Sequence, residues 1–133
     1  MKKKIFYDIV IVGAGPIGIA FASSLAKTKF KIAIIDKQSK KSISNPKVDG
    51  REIALTHQSV KILKKLNVWK YISKKNISII KEARILDGNS PYFLNFNHDE
   101  IEKDNLGYLI PNYIIKKIFY KKLKKLTNVT LVN

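Results

Sequence analysis

The stretch YDIVIVGAGPIGIAFASSLAKTKFKIAIIDK, residues 7–37, decides the fold of this chain. It combines an apolar run, three closely spaced glycines and a terminal acid. Lysines 2–4 before the apolar run resemble the start of a secretory signal. However, Asp8 would place a charge in the hydrophobic region of that signal, and a charge there is costly in lipid. Because no uninterrupted run reaches the ~18 apolar residues of a spanning helix, we favour a buried strand–helix–strand unit.

The local pattern predicts each element of that unit. The apolar run Ile5–Val12 is typical of a strand buried on both faces of a parallel sheet. Pro16 suits the first turn of a helix, where its missing N–H has no intrahelical partner. A second buried strand is predicted at Ile32–Ile35. Apolar residues at helical spacing predict one apolar stripe on this helix that faces the core, made of Ile17, Phe21, Ala22 and Leu25.

The rest of the chain predicts further alternation of helices and strands. The polar segment 37–50 is typical of a loop, and Thr56 predicts the N-cap of a helix. We predict strands at 77–86, 92–96, 106–110 and 129–132, the last one parallel, and a helix that begins at Pro111 or Asn112. The expected fold is therefore α/β and Rossmann-like, with a mostly parallel sheet and a small β insertion, in a single unit over residues 1–133.

The three glycines match the G-x-G-x-x-G pattern in its expected context, after a strand and at the start of a helix. Gly13 permits a tight turn, Gly15 permits close approach of a pyrophosphate, and Gly18 permits close helix packing. Asp36 ends the second strand, where a carboxylate binds a ribose diol and disfavours a 2′-phosphate. The alternative is a glycine-rich turn without a ligand. The predicted cofactor site comprises Gly13, Ala14, Gly15, Pro16, Ile17, Gly18, Asp36 and Lys37, and the motif alone does not distinguish FAD from NAD.

Composition narrows the function classes further. The formal net charge is +16, which raises nucleic acid or an anionic membrane as partners. Lysines spread along the chain without interleaved aromatic residues argue against nucleic acid. With no cysteine and two histidines, we predict no disulfide and no metal site, and we assign no catalytic residue. His57 follows the Arg51 segment, so one interpretation places it near a bound cofactor; we favour the alternative, a loop or helix-start residue without a chemical role.

Beyond the glycine motif, the segments DGREIALTHQSVKILKKLNVW (49–69) and GYLIPNYIIKKIF (107–119) resemble those of a known family. The chain resembles the amino-terminal part of the FAD-dependent aromatic hydroxylases related to p-hydroxybenzoate hydroxylase, and most of all the ubiquinone-biosynthesis hydroxylases. The resemblance implies that FAD is the cofactor. It also implies that Arg51 approaches the pyrophosphate and flavin, and that Asn112 contacts the ribityl-pyrophosphate region.

The resemblance further implies an activity. In such enzymes NAD(P)H reduces the flavin, and the reduced flavin uses O2 to hydroxylate an aromatic ring. The implied substrate is a polyprenylated quinone precursor, so we expect a cytoplasmic protein with peripheral association at the inner face of the membrane. Family members are much longer, so the chain is expected to be an N-terminal fragment that is inactive alone. The alternatives are another FAD- or NAD-linked oxidoreductase, and a truncated remnant without catalysis.

Overall fold

A computed structural model describes residues 4–101 and 103–132 as alternating strands and helices. Short 3-10 turns lie at Trp69–Tyr71, Lys74–Asn76 and His98–Ile101. None of the helices in these two ranges is both long and apolar enough to span a bilayer. In chain order the elements are β1 (Ile9–Val12), α1 (Pro16–Ser24), β2 (Ile32–Ile35), α2 (Lys40–Ser44), β3 (Glu52–Leu55), α3 (His57–Lys65), β4 (Ser78–Ile80), β5 (Glu82–Leu86), β6 (Phe93–Asn97), β7 (Gly107–Pro111), α4 (Asn112–Leu123) and β8 (Val129–Val132).

A parallel sheet with the strand order β1-β2-β8 forms the centre of the fold. Ile32 in β2 pairs with Ile9 on one side and with Val129 on the other. Because β2 is covered on both faces, its residues 32–34 are buried, as expected for a parallel strand. The predicted α/β class and the predicted parallel strand at the end of the chain are confirmed.

The antiparallel strands form two further sheets, with the order β3-β7-β4 and the hairpin β5-β6. We predicted no strand at β3, and it forms by pairing with β7. The segment predicted as strand at 77–86 forms the two strands β4 and β5, because the chain changes partner at Lys81. Ile80 pairs with Gly107 in β7, whereas Glu82 pairs with Asn97 in β6.

The core lies between the parallel sheet and the helices, with α4 packed against α1 and α2. The prediction that Ile17 and Phe21 face inward is wrong, since Ile17 is 86% exposed and Phe21 is exposed as well. The face of α1 that packs carries Ile19, Ala22 and Ser23 instead. The segment predicted as a loop at 37–50 contains α2, whose start is capped by the side chain of Ser39.

Candidate functional site

The glycine loop between β1 and α1 has the geometry that its sequence predicts. Gly13 has a φ of +106°, which residues with a Cβ rarely adopt. A Cβ on Gly18 would collide with the carbonyl oxygen of Gly13, so only glycine lets α1 begin so close to β1. A Cβ on Gly15 would meet nothing within 4 Å, so the backbone there borders open space. The loop is therefore closely packed behind Gly18 and accessible at Gly15.

The amino terminus of α1 carries amide groups that the helix itself does not use. Gly15 is the N-cap, and the first intrahelical hydrogen bond runs from the Ile19 amide to the Gly15 carbonyl at 3.0 Å. Pro16 has no N–H, and the amides of Ile17 and Gly18 have no intrahelical acceptor because they lie in the first turn of the helix. No acidic side chain lies in the first turn of this helix. Free amides and the positive end of the helix dipole together suit an anion such as a pyrophosphate.

Asp36 faces this loop from the end of β2. Its Oδ2 atom accepts a hydrogen bond from the Ala14 amide at 2.7 Å, and its Oδ1 atom accepts one from the Gln38 amide at 2.8 Å. The Ala14 amide is therefore occupied by protein and is not available to a ligand. Each carboxylate oxygen can accept more than one hydrogen bond, so Asp36 retains acceptor capacity for the hydroxyls of a sugar. Lys37 follows at the same edge of the sheet and is exposed.

Arg51 and Asn112 meet in a second group, which we call the Asp49 cluster (Asp49, Arg51 and Asn112). The Oδ2 atom of Asp49 accepts hydrogen bonds from Arg51 Nε at 3.0 Å and from the Arg51 NH2 group at 2.7 Å. The same oxygen accepts a third hydrogen bond from Asn112 Nδ2 at 2.9 Å. The backbone N–H of Asn112 also donates to the backbone carbonyl of Arg51 at 2.9 Å. This bond fixes the start of α4 against the segment before β3.

The electrostatics of the Asp49 cluster follow from these contacts. The hydrogen bonds from the side chains of Arg51 and then Asn112 lower the pKa of Asp49 from 3.8 to about 2. Asp49 is thus ionised at neutral pH. The two N–H groups with which Arg51 binds Asp49 lie on one edge of the guanidinium. The Arg51 side chain remains 70% exposed. Arg51 therefore still presents charge to an approaching anion.

Asp49, which joins the predicted residues Arg51 and Asn112, is absent from the sequence prediction. The sequence feature that could have identified Asp49 is an acid two residues before the arginine. This spacing allows the backbone N–H of Arg51 to donate to Asp49 Oδ1 at 3.2 Å. Its contact with Asn112 spans 63 residues of sequence and could not be inferred from local pattern.

The structure thus brings the predicted residues into two groups, one around the glycine loop and one around Asp49. Among residues 4–101 and 103–132, no hydrogen bond or ion pair joins the two groups. They are connected through α4, which begins at Asn112 and packs against α1. The first group presents free amides and the second presents the exposed edge of the Arg51 guanidinium, and a single extended diphosphate-containing cofactor could use both.

His57 lies outside both groups and has structural partners. Its Nε2–H donates to the Asn105 carbonyl at 2.8 Å, since a carbonyl can only accept. Its ring packs edge-on against Tyr108, with the ring centroids 5.9 Å apart. These contacts tie the start of α3 to the segment before β7. In the part of the chain that the structure describes, no group of three His, Asp or Glu side chains is placed to hold a metal ion.

Known proteins resemble this chain over nearly its whole length. The sequence model of the NAD(P)-binding Rossmann-like domain matches residues 11–57, which include the glycine loop, Asp36 and Arg51. The chain is 39% identical over 129 residues to ubiquinone hydroxylase UbiM of Neisseria meningitidis, covering 94% of this chain and 28% of that protein. It is 28% identical to the mitochondrial ubiquinone biosynthesis monooxygenase COQ6 of Dictyostelium discoideum, covering 98% of this chain and 29% of that protein.

Among solved structures, p-nitrophenol 4-monooxygenase PnpA from Pseudomonas putida superposes with a TM-score of 0.67 at 18% identity. The match covers 98% of this chain and 32% of PnpA, and it shows that the fold is shared. The expected partial match is confirmed, because the chain spans less than a third of UbiM and of COQ6. Over the part that it spans, the chain is homologous to these ubiquinone-biosynthesis hydroxylases.

Proposed function

We propose that this chain is the amino-terminal, FAD-binding portion of an FAD-dependent aromatic-ring monooxygenase of ubiquinone biosynthesis. The observation that carries the proposal is the 39% identity to a ubiquinone hydroxylase over 129 residues. It is supported by the open backbone at Gly15 and by the position of the Asp36 carboxylate beside the glycine loop, where it could accept from a ribose. We place the whole of residues 1–133 in the FAD-binding domain.

The residues of this chain would bind and orient the cofactor. The amides of Ile17 and Gly18, with the open backbone at Gly15, would receive the pyrophosphate, while Ala14 and Pro16 hold the turn. Asp36 would accept hydrogen bonds from the ribose, with Lys37 beside it. Arg51 and Asn112 would contact the pyrophosphate and ribityl side, with Asp49 holding both in place. When bound, FAD supplies the redox chemistry, in which NAD(P)H is the reductant and O2 the oxidant.

The substrate we propose is a polyprenylated aromatic quinone precursor, bound in the whole enzyme at a membrane periphery on the cytoplasmic side. We further propose that the chain by itself binds FAD weakly and does not hydroxylate. This proposal is supported by uncovered apolar side chains near the glycine loop, namely Val10 and Val12 on β1 and Ile17 and Phe21 on α1. Large apolar side chains exposed in this number normally pack against further protein.

An NAD-linked oxidoreductase is the second candidate, because the matching domain model is described as NAD(P)-binding. The two candidates predict different ligands for the same loop. FAD extends past the pyrophosphate to a ribityl chain and flavin, which would use Arg51 and Asn112. An NAD site would need neither Arg51 nor Asn112 in that role.

Titration of the purified chain with FAD and separately with NADH, followed by fluorescence, tests the proposal. We expect a yellow FAD complex and weaker NADH binding, with loss of the FAD complex in Gly15→Val. Ser78→Val, an exposed substitution in β4 away from the loop, is the control and should bind FAD normally. Preferential NADH binding would favour the second candidate, and stoichiometric FAD with NADH oxidation would contradict the proposed inactivity of the chain alone.

A further inference from the structure

Charge is unevenly distributed along this basic chain. Residues 53–81 contain seven lysines and residues 105–133 contain six, and neither segment contains a single Asp or Glu. All ten acidic residues of the chain lie outside these two segments. A uniform compositional bias towards lysine would not by itself separate the acids in this way.

The fold places the two acid-free segments against each other. A groove with a volume of about 670 Å³ lies between the turn at 67–71, after α3, and residues 118–125 of α4 and its end. We call it the lysine groove. Val68, Tyr71 and Ile118 contribute apolar surface to it, and its cationic lining consists of Lys70, Lys121, Lys122, Lys124 and Lys125.

Within residues 4–101 and 103–132, no acidic side chain pairs with these lysines. In the described part of the chain, the ion pairs involve Arg51, Arg84 and His98, and none of the groove lysines. The Lys70 ammonium instead lies 5.3 Å from the centre of the Tyr71 ring, and that of Lys124 lies 5.7 Å from the centre of the Tyr120 ring. Five like charges around one concave surface repel each other, so an anion in the groove would be attracted.

We propose that the lysine groove docks this protein on the phosphate headgroups of an anionic lipid surface. The cations are all lysines on flexible stems, with no arginine fork to hold a single free phosphate in a fixed geometry. The apolar floor and the exposed Tyr71 ring suit the boundary between headgroups and acyl chains. A nucleic acid would need several aromatic platforms, and the groove contains one.

The proposal rests on the peripheral membrane association in the proposed function and assigns it to a surface. Asn112, in the Asp49 cluster, and Lys121, in the groove, lie on the same helix nine residues apart in sequence. At 1.5 Å per residue this separation is about 14 Å along the helix axis. The membrane contact is thus separate from the cofactor site, and each can be changed without touching the other.

Flotation of the purified chain with vesicles tests the proposal. The groove variant combines Lys70→Gln, Lys121→Gln, Lys124→Gln and Lys125→Gln, which are all exposed positions. The control combines Lys27→Gln, Lys29→Gln, Lys31→Gln and Lys47→Gln, which remove the same charge from exposed positions outside the groove. Vesicles of phosphatidylcholine with phosphatidylserine are compared with pure phosphatidylcholine, and circular dichroism and thermal melts confirm folding.

We expect binding to the anionic vesicles only, and at least about 50-fold weaker binding for the groove variant, since each lysine near an anionic surface changes binding about fivefold. The control should retain wild-type binding. Three outcomes would each overturn the proposal. The first is an equal loss of binding in both variants, and the second is no vesicle binding by the wild type. The third is groove-dependent binding of polyphosphate or single-stranded RNA without vesicle binding. Gly15→Val should lose FAD and keep vesicle binding, which separates this test from that of the cofactor site.

Discussion

The Asp36 carboxylate and the Ala14 amide lie 2.7 Å apart, which ties the end of β2 to the glycine loop across 22 residues of sequence. A carboxylate that accepts a backbone amide makes a charge-assisted hydrogen bond, which is shorter and stronger than a neutral one. This bond fixes the position of the loop amides and of the acid relative to each other. The part of the site that would bind an adenosine diphosphate is therefore already organised by the protein.

Asp36→Asn should weaken the site and the fold together. An Asn side chain has one acceptor oxygen for the two backbone amides that Asp36 now satisfies. We expect the free energy of unfolding, measured in urea, to fall by about 1–2 kcal/mol. We also expect FAD binding to be at least about tenfold weaker, because the ribose loses a carboxylate acceptor. Asp8→Asn is the matched control, since Asp8 accepts the Lys31 amide at 2.7 Å at the opposite end of the same strands. A comparable loss of FAD affinity in that control would contradict the role of Asp36.

Gly15 and Gly18 should respond to substitution in opposite ways. Gly18→Ala places a Cβ against the Gly13 carbonyl and should destabilise the fold by about 1–3 kcal/mol, as overpacking does. Gly15→Val adds its side chain in open space, at a backbone conformation that valine adopts readily. It should leave the melting temperature within a few degrees of wild type and abolish FAD binding. FAD affinity like that of the wild type in a folded Gly15→Val variant would contradict the assignment of the loop.

The strand–helix–strand unit was predictable because its signals are local. The apolar runs, Pro16 and the three glycines all lie within 31 consecutive residues, and they act on the backbone nearest to them. The start of α4 at Asn112 was predictable for the same reason. By contrast, β3 exists because Glu52 pairs with Pro111, and nothing in the local pattern of EIAL requires a strand.

Two other features needed the tertiary structure. Helical spacing identified an apolar stripe on α1, but it could not tell which apolar residues of that helix would be covered. Ile17 and Phe21 lie on the uncovered side, whereas α4 packs over the side that carries Ile19 and Ala22. Similarly, Arg51 and Asn112 were found separately by resemblance, and only their shared contact with Asp49 shows that they form a unit.

Arg51→Lys tests whether a planar guanidinium is needed at the Asp49 cluster. Lysine keeps the charge, but it loses the two parallel donors to Asp49 and the open edge that would face a phosphate. We expect about tenfold weaker FAD binding by fluorescence titration with little change in stability, because the side chain is largely exposed. Arg84→Lys is the control, since Arg84 pairs with Glu82, also two residues away, on the β5-β6 hairpin. Equal effects of the two substitutions on FAD affinity would count against a cofactor role for Arg51.

Asp49 should make a contribution to stability that depends on pH. Its pKa is lowered to about 2 in the folded chain by Arg51 and Asn112, so the ionised form is favoured by folding. Because its pKa is lowered on folding, Asp49 contributes stability that is fully present at pH values above its ordinary pKa of 3.8. This contribution is lost as the pH falls towards 2. The difference in unfolding free energy between wild type and Asp49→Asn should therefore shrink as the pH is lowered through this window.

Urea unfolding of both proteins at several pH values between 5 and about 2 measures that difference. Asp87→Asn, which removes an exposed carboxylate in the turn of the β5-β6 hairpin, corrects for the general effect of losing one negative charge. If the difference in unfolding free energy between the wild-type and Asp49→Asn proteins stayed constant over this pH range, Asp49 would not be held ionised by its neighbours.

His57 should matter for stability and not for the cofactor. His57→Phe keeps an aromatic ring against Tyr108 but removes the donor to the Asn105 carbonyl. The loss of that hydrogen bond should lower the free energy of unfolding by about 1–2 kcal/mol, measured by urea denaturation. FAD affinity should stay within about twofold of wild type, as expected for a site that the substitution does not touch. His57→Gln, which retains a donor, should recover part of the stability. A variant of normal stability with markedly weaker FAD binding would instead place His57 at the cofactor, because the bond to Asn105 would then contribute little to the fold.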